Sequence, residues 1–374
     1  MAKLLFLVTE DWYFLSHRLP LALAAKKAGY EVVVATRVGE SARSIEAEGI
    51  RVVPFEMDRR NMNPLKELGA LSRLTWLLRR EKPDLLHMVA LKPVLLGNMA
   101  ARLAGVKRRI SAVAGMGFLF TSDGRGGVAM PLVSWLLGRA LRGSQVIVQN
   151  PDDARLLEQM GIANGTMRLI RGSGVDLKRF RPRPEPMGTP VVMLPSRLLW
   201  DKGVGEFVEA ARRLQRAGIG ARFVLVGAPD AANPASVKEG EVIRWRSEGI
   251  VEWWGHRNDM EETLPQANLV CLPSYREGLP KVLLEAMGCG RAIVTCDVPG
   301  CREVVSPGEN GLLVPPGDAA ALADAIQALL EDTELRRRLG RRGRERAEEE
   351  FGVERVVEQT MGIYQRLGFN QPWP

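Results

Sequence analysis

The reading of this chain turns on Pro273-Ser274-Tyr275-Arg276-Glu277-Gly278-Leu279-Pro280-Lys281-Val282-Leu283-Leu284-Glu285-Ala286-Met287. It follows the apolar run Leu269 to Leu272, and its Pro and Gly residues precede an amphipathic segment, so it reads as a strand end, a loop and a helix start. Pro280 suits the first helical turn, where a backbone N–H has no intrahelical partner anyway. The N–H groups near Gly278 to Lys281 then sit at the positive end of a helix dipole, which favours anionic or oxygen-rich ligands. Glu277 lies on the loop just before them, and Glu285 follows slightly more than two helical turns later. Two carboxylates so spaced can meet one elongated ligand at different depths. The same spacing also suits a solvent-facing Glu on an ordinary amphipathic helix.

Outward from this stretch, short apolar or β-branched runs alternate with longer amphipathic ones, the pattern of parallel sheets covered by helices. Strands are expected at Leu4 to Thr9, Glu31 to Thr36, Arg51 to Phe55, Asp84 to Val89, Arg109 to Val113 and Gln145 to Gln149. Between them, Leu65, Leu68, Leu71, Leu74 and Leu78 suggest the core-facing stripe of a helix whose other faces carry Lys66, Arg73, Arg79 and Arg80. The segment from Arg179 to Pro190 contains four prolines and reads as a linker. Strands resume at Val191 to Leu194, Arg222 to Val226, Ile250 to Trp254, Leu269 to Leu272 and Ala292 to Thr295. The carboxyl end is helical, with Arg336 to Arg338 and Glu348 to Glu350 expected on solvated faces. The fold class is therefore α/β, with two Rossmann-like doubly wound domains, 1–181 and 187–355. Ligands of such sheets bind beyond the carboxyl ends of the strands, which places the expected site in an interdomain cleft.

With 374 residues, 46% apolar and 26% charged, the composition is that of a globular protein and excludes disorder and collagen-like repeats. The longest apolar stretch, Val128 to Leu141, is broken by Pro131, Gly138 and Arg139 and is too short to span a bilayer. The amino end lacks a signal-peptide core, so a cytoplasmic location is expected. Cys271, Cys289, Cys296 and Cys301 form no C-x-x-C pair and read as reduced, mostly buried thiols. No metal site is expected. Neither half carries G-x-G-x-x-G after its first strand, which disfavours a nicotinamide or flavin enzyme. Residues 1–187 hold 29 Lys and Arg against 17 Asp and Glu, and the remainder 23 against 27, so the halves carry +12 and −4. A basic amino half suits a phosphate-bearing ligand, an anionic membrane surface or a nucleic acid, but no basic and aromatic recognition motif supports the last. An Arg-rich solvated surface is the plain alternative.

The run E-G-L-P-K-V-L-L-E-A resembles the E-x7-E motif of the retaining glycosyltransferases of family 4, which have the GT-B fold. The run Leu194-Pro195-Ser196-Arg197-Leu198-Leu199-Trp200-Asp201-Lys202-Gly203 is similar to that family's Arg and Lys segment, Gly172-Ser173-Gly174-Val175-Asp176 to its G-V-D, and Gly255-His256-Arg257-Asn258-Asp259-Met260 to its G-x-x-x-D-M. The resemblance implies that Arg197 and Lys202 hold a donor diphosphate and that Glu277, with the backbone of Gly278, Leu279 and Pro280, holds the donor sugar. Glu285 would bind the ribose, and the backbone near Trp254 to His256 would flank the base. It also implies a carboxyl-terminal helix, 356–374, that returns to the first domain. No D-x-D occurs, which disfavours a Mg2+-dependent single-domain transferase, and no cofactor is implied.

In the first half, Pro83-Asp84-Leu85-Leu86-His87-Met88-Val89-Ala90-Leu91-Lys92-Pro93 and Gly115-Met116-Gly117-Phe118-Leu119-Phe120-Thr121 resemble the branch that transfers N-acetylhexosamines to undecaprenyl-diphosphate-linked sugars. There His87 and Lys92 are acceptor-binding candidates, against a structural His and a solvent Lys. Ala114 stands where many relatives have a His, and Glu10-Asp11-Trp12-Tyr13-Phe14 where many have a glycine-rich loop, so Glu10 and Asp11 become candidates for the acceptor base. The aromatics beside them suit either a membrane-dipping tip or packed core. The implied function is transfer of a sugar from a UDP-sugar to a lipid-linked saccharide in polysaccharide assembly, without a metal, at the inner face of the cytoplasmic membrane. A nucleotide-sugar 2-epimerase of the same fold and a noncatalytic UDP-sugar-binding protein are the alternatives.

Overall fold

The computed structural model describes residues 1–57, 63–113, 130–162, 164–230 and 233–368. The chain divides into two units, Met1–Ser173 with the segment from Val356 onward, and Gly174–Arg355. In the first unit the strands are β1 (Lys3–Glu10), β2 (Glu31–Arg37), β3 (Arg51–Pro54), β4 (Leu85–Val89), β5 (Arg108–Val113), β6 (Gln145–Val148) and β7 (Met167–Leu169). They form one parallel sheet in the order β3-β2-β1-β4-β5-β6-β7. Helices α1 (Asp11–His17), α2 (Leu19–Lys27), α3 (Ala42–Ala47), α4 (Pro64–Glu81), α5 (Leu91–Ala104), α6 (Met130–Leu141) and α7 (Pro151–Gln159) alternate with them. The second unit has β8 (Val191–Pro195), β9 (Arg222–Val226), β10 (Glu252–Gly255), β11 (Leu269–Leu272), β12 (Ala292–Cys296) and β13 (Leu312–Val314), parallel in the order β10-β9-β8-β11-β12-β13. Its helices are α8 (Val204–Arg216), α9 (Glu239–Ser247), α10 (Met260–Thr263), α11 (Lys281–Gly288), α12 (Cys301–Val304), α13 (Ala319–Glu331) and α14 (Thr333–Arg346). The last helix, α15 (Val353–Arg366), begins in the second unit and from Val356 belongs to the first. The central strands are buried along their whole length, as parallel strands covered on both faces must be. All four cysteines are buried and unpaired, and burial raises their thiol pKa values.

Both sheets are doubly wound, as the sequence pattern implies, and the structure refines three local readings. Leu71, Leu74 and Leu78 of α4 enter the core, but Leu65 and Leu68 are 80% and 63% exposed. At about 100° per residue, Leu65 lies roughly 120° around the helix from Leu71, so a run of three-residue steps cannot keep one face. The core stripe instead runs through Ala70, Leu71, Leu74, Leu77 and Leu78. The proline-rich segment 179–190 is packed on the second unit and is not a slack linker. Arg291, 2% exposed, donates to the carbonyls of Arg183 and Pro184, and Arg336, expected in solvent, is buried against Glu185 at 2.8 Å. Prolines leave carbonyls without offering N–H groups in exchange, and buried guanidinium donors answer them.

The third concerns His87, which sits in the middle of β4, beside Phe6 in the register of β1. Its ring is fully buried and stacked on Phe6 at 5.1 Å, and Nδ1 lies 2.7 Å from the hydroxyl of Tyr364 on α15. The expectation that His87 contacts an acceptor is therefore corrected: it is a core residue that seats the returning helix. Tyr364 is itself fully buried, so its hydroxyl and His87 Nδ1 partner each other, while His87 Nε2 is buried with no hydrogen-bond partner among the described residues. Burial, reinforced by the Arg18 charge, holds the imidazole pKa well below its ordinary value. A His depressed on folding adds no pH dependence above its unfolded pKa of about 6.5 and subtracts stability as pH falls below it, because the unfolded chain takes the proton first. Wild-type stability to urea should thus fall between about pH 6.5 and 5, with a shallower slope for His87→Phe. Tyr364→Phe should cost about 1–2 kcal/mol at neutral pH.

Candidate functional site

The order of the second sheet reverses between β8 and β11, and the loops leaving these two strands are locked together. Tyr275 N–H donates to Asp201 carbonyl at 3.0 Å. Gly203, at φ 73°, comes so close that an added Cβ would lie 2.1 Å from the Pro273 carbonyl oxygen. These contacts bring Lys202, at the end of a short 3-10 turn after β8, to Glu277 in the loop after β11. Lys202 Nζ and Glu277 Oε1 are 2.5 Å apart, and Ser274 Oγ donates to the same oxygen at 2.8 Å. The two side chains are only 20% and 12% exposed, so the pair is more strongly coupled than a surface ion pair.

The other residues expected at the site lie on neighbouring loops, strands and helices of this unit. Arg197 follows β8 and is held by Asp230 at 3.0 Å. Pro280 is the N-cap of α11, one position before the first helical turn, and the helix start faces the same loop. Glu285 is 7% exposed and paired with Lys281 one turn earlier at 2.8 Å. The backbone of Glu277 and Gly278 is backed by Gly300, at φ 83°, where a Cβ would lie 2.6 Å from either carbonyl oxygen. The turn after β9 completes the floor: Gly227, at φ 144°, abuts Ser196, donates to Gly255 carbonyl at 2.7 Å and accepts from Trp253 Nε1 at 2.8 Å. Trp254 Nε1 donates to Glu252, and exposed His256 lies with Nε2 3.0 Å from Asn258 Oδ1. Tyr275 donates to Glu206 at 2.5 Å, a bond that, with burial, raises the phenol to about 12. Ser274, Asp230, Gly227 and Gly300 were not singled out from the sequence. Gly227 carried a signal, a glycine at the end of an apolar run; the others become visible only once loops far apart in sequence converge.

The first unit divides the acceptor candidates. Asp11 is 3% exposed, with Oδ2 accepting from Gly39 N–H at 2.6 Å and Oδ1 from Trp12 N–H at 2.7 Å. It fastens the loop after β1 to the one after β2, which removes it as an acceptor base. Glu10 stays at the half-buried carboxyl end of β1. Lys92, in the first turn of α5, pairs with Glu67 at 2.5 Å. Phe14 is buried against Phe6, whereas Trp12 is 42% exposed, so the aromatic loop splits between core and surface. Ala114 and the Gly115 to Thr121 loop lie outside the described residues.

Residues 3–150 match the family described as Glycosyl transferase 4-like, and residues 189–332 the family described as Glycosyl transferases group 1. The chain is 30% identical to the N,N'-diacetylbacillosaminyl-diphospho-undecaprenol alpha-1,3-N-acetylgalactosaminyltransferase of Campylobacter jejuni, over 95% of this chain and 98% of the relative. The chain belongs to the family 4 glycosyltransferases. It is also 26% identical to the UDP-Gal:alpha-D-GlcNAc-diphosphoundecaprenol alpha-1,3-galactosyltransferase of Escherichia coli, over 74% of each chain. The crystal structure of Anabaena Alr3699/HepE in complex with UDP and glucose matches with a TM-score of 0.80 at 21% identity, over 98% of this chain and 100% of that one. The shared architecture is GT-B, and this glycosyltransferase has both of its Rossmann-like sheets.

The close backbone approaches yield a direct test. Gly227→Ala would place a Cβ 1.9 Å from Ser196 carbonyl oxygen in a conformation only glycine adopts readily, and it should destabilise the protein by about 2 kcal/mol or more. Gly240→Ala, where an added Cβ meets nothing within 4 Å, should leave stability unchanged or raise it by up to about 1 kcal/mol. Thermal unfolding of the two variants distinguishes the cases.

Proposed function

We propose that this glycosyltransferase moves a sugar, an N-acetylhexosamine, from a UDP-sugar to a polyprenyl-diphosphate-linked saccharide in bacterial surface-glycan assembly, with retention of anomeric configuration and without a metal. It works as a peripheral protein on the inner face of the cytoplasmic membrane. The observation that carries this reading is the Lys202–Glu277 pair at the switch point of the second sheet. It sets a cation and a carboxylate side by side, the carboxylate in the loop that leads into α11. The acceptor and donor classes follow by likeness to the Campylobacter relative, whose name states a diphospho-undecaprenol acceptor and N-acetylgalactosamine transfer. UDP is favoured because the Escherichia coli relative is named for UDP-Gal and the Anabaena fold neighbour is described with UDP.

In the mechanism, the bond between the anomeric carbon and the diphosphate oxygen breaks as the acceptor hydroxyl oxygen bonds to that carbon from the same face. The hydroxyl proton passes to the departing phosphate oxygen, so no protein base is needed. Arg197 and Lys202 neutralise the charge that accumulates on the diphosphate, strengthened by the α11 dipole. Glu277 orients the sugar, and its negative charge favours the positive character developing at the anomeric centre. Glu285 holds the ribose, and the Trp254 to His256 turn flanks the base. Glu10 and Lys92 remain the acceptor-side candidates.

Lys202→Ala and Glu277→Gln should each lower kcat by roughly 100-fold or more; Glu277→Gln keeps the side chain's size and its hydrogen-bonding oxygen and should unfold near wild type, whereas Lys202→Ala leaves Glu277 without its cation and should also lower the unfolding temperature. Full turnover in either variant would remove the role assigned to that residue. Proton NMR of the product should show the anomeric configuration of the donor, and the opposite configuration would overturn the same-face mechanism.

A further inference from the structure

Helices α4, α5 and α6 lie side by side over one face of the first sheet, their inner residues sharing a core with Leu5, Leu7, Leu86 and Met88. Arginines join neighbours in this layer: Arg79 of α4 donates to the Leu103 carbonyl of α5, and Arg102 of α5 to the Arg139 carbonyl of α6. Their outward sides therefore form one surface. On a water-facing layer that surface should be polar, yet it presents Leu65, Leu68 and Trp76 from α4, Leu103 from α5 and Trp135 from α6, each between 56% and 80% exposed. The apolar side chains are interleaved with cations. Arg80 lies over the Trp76 ring at 4.8 Å and Arg139 over Trp135 at 5.9 Å. No Asp or Glu on the three helices is exposed: Glu67 is half-buried against Lys92, and Glu81 is buried beneath Arg51.

At the carboxyl ends of α4 and α5 the layer borders a recess of about 600 Å³ whose lining includes Arg79, Lys82, Lys107 and Arg108. Among the described lining residues the one carboxylate, Asp84, already accepts the Lys3 backbone N–H at 2.8 Å. Aromatic and leucine side chains projecting among arginines, with a cationic recess at the edge, match the boundary between lipid headgroups and acyl chains. We propose that the α4–α5–α6 face is the surface by which this protein docks on an anionic membrane, with apolar side chains in the interface and the recess receiving headgroup phosphates. This specifies the peripheral membrane placement proposed above and rests on it. Exposed leucines favour lipid over nucleic acid, whose binding surfaces need stacking rings and phosphate contacts but not aliphatic projections.

The test is co-sedimentation of the full chain with vesicles of phosphatidylcholine alone or mixed with phosphatidylglycerol. Wild type should bind the phosphatidylglycerol vesicles and lose binding in about 0.5 M salt. Two double variants, Trp76→Ser with Trp135→Ser and Arg73→Glu with Lys107→Glu, should each bind about tenfold more weakly. All four substitutions are at exposed positions, so folding is checked by unchanged thermal unfolding. Sugar transfer to a detergent-dispersed acceptor should match wild type in both variants. Wild-type vesicle binding by either variant would overturn the proposal, as would equal binding to phosphatidylcholine alone. A homodimer in lipid-free solution that the Trp substitutions dissociate would assign the face to a second copy instead. Absence of transfer by wild type in detergent, with lipid binding intact, would contradict the glycosyltransfer reading and leave the docking face standing.

Discussion

The ion pair between Lys202 and Glu277 is the constraint around which the second unit is arranged. A cation and a carboxylate this sheltered lose much of their hydration, and the loss is tolerable only when geometry is fixed and the remaining polar atoms are satisfied. Ser274 supplies the third polar partner. The geometry comes from backbone packed on backbone at Gly203, Gly227 and Gly300, positions where a single added carbon would collide with a carbonyl oxygen. The local sequences around Lys202 and Glu277 are thus shaped by a need to bring two strand-exit loops within hydrogen-bonding distance. The charge pair then stands at the switch point of the sheet, where α/β folds receive their ligands.

The first unit solves a different problem. Its sheet is closed on one face by a helix from the far end of the chain, and the buried His87–Tyr364 contact is a polar element in that closure. The opposite face carries a helix layer whose inner side is ordinary core and whose outer side is apolar and basic. One half of the molecule therefore holds the sheltered charges suited to a nucleotide diphosphate, and the other the exposed cations and aromatics suited to an extended anionic surface. The proposed docking face lies in the half that carries +12, against −4 for the other.

Strand alternation and the E-x7-E stretch made both sheets and the centre of the site legible, because each is a local pattern with a fixed period or spacing. The strands β7 and β13 escaped, being three residues long and partly exposed, too short for periodicity to register. His87 was misread because its role depends on a partner 277 residues away. Asp11 was misread similarly: its committed oxygen accepts from Gly39, on the next strand's exit loop. Leu65 and Leu68 show the limit of counting leucines, since steps of three drift around a helix and only mixed steps of three and four stay on one face. Arg291 and Arg336 were hidden for a further reason: a buried arginine is recognisable only once the carbonyl-rich strap that it grips has been placed.

The most direct measurement of the central claim is UDP release from a panel of UDP-sugars in EDTA, with and without an undecaprenyl-diphosphate-linked saccharide. Release from one UDP-N-acetylhexosamine that depends on the acceptor and persists in EDTA is the expected result. Release that requires a divalent cation would contradict the assignment of the leaving-group charge to Arg197 and Lys202, and conversion of the donor to an epimer without acceptor would contradict transfer itself.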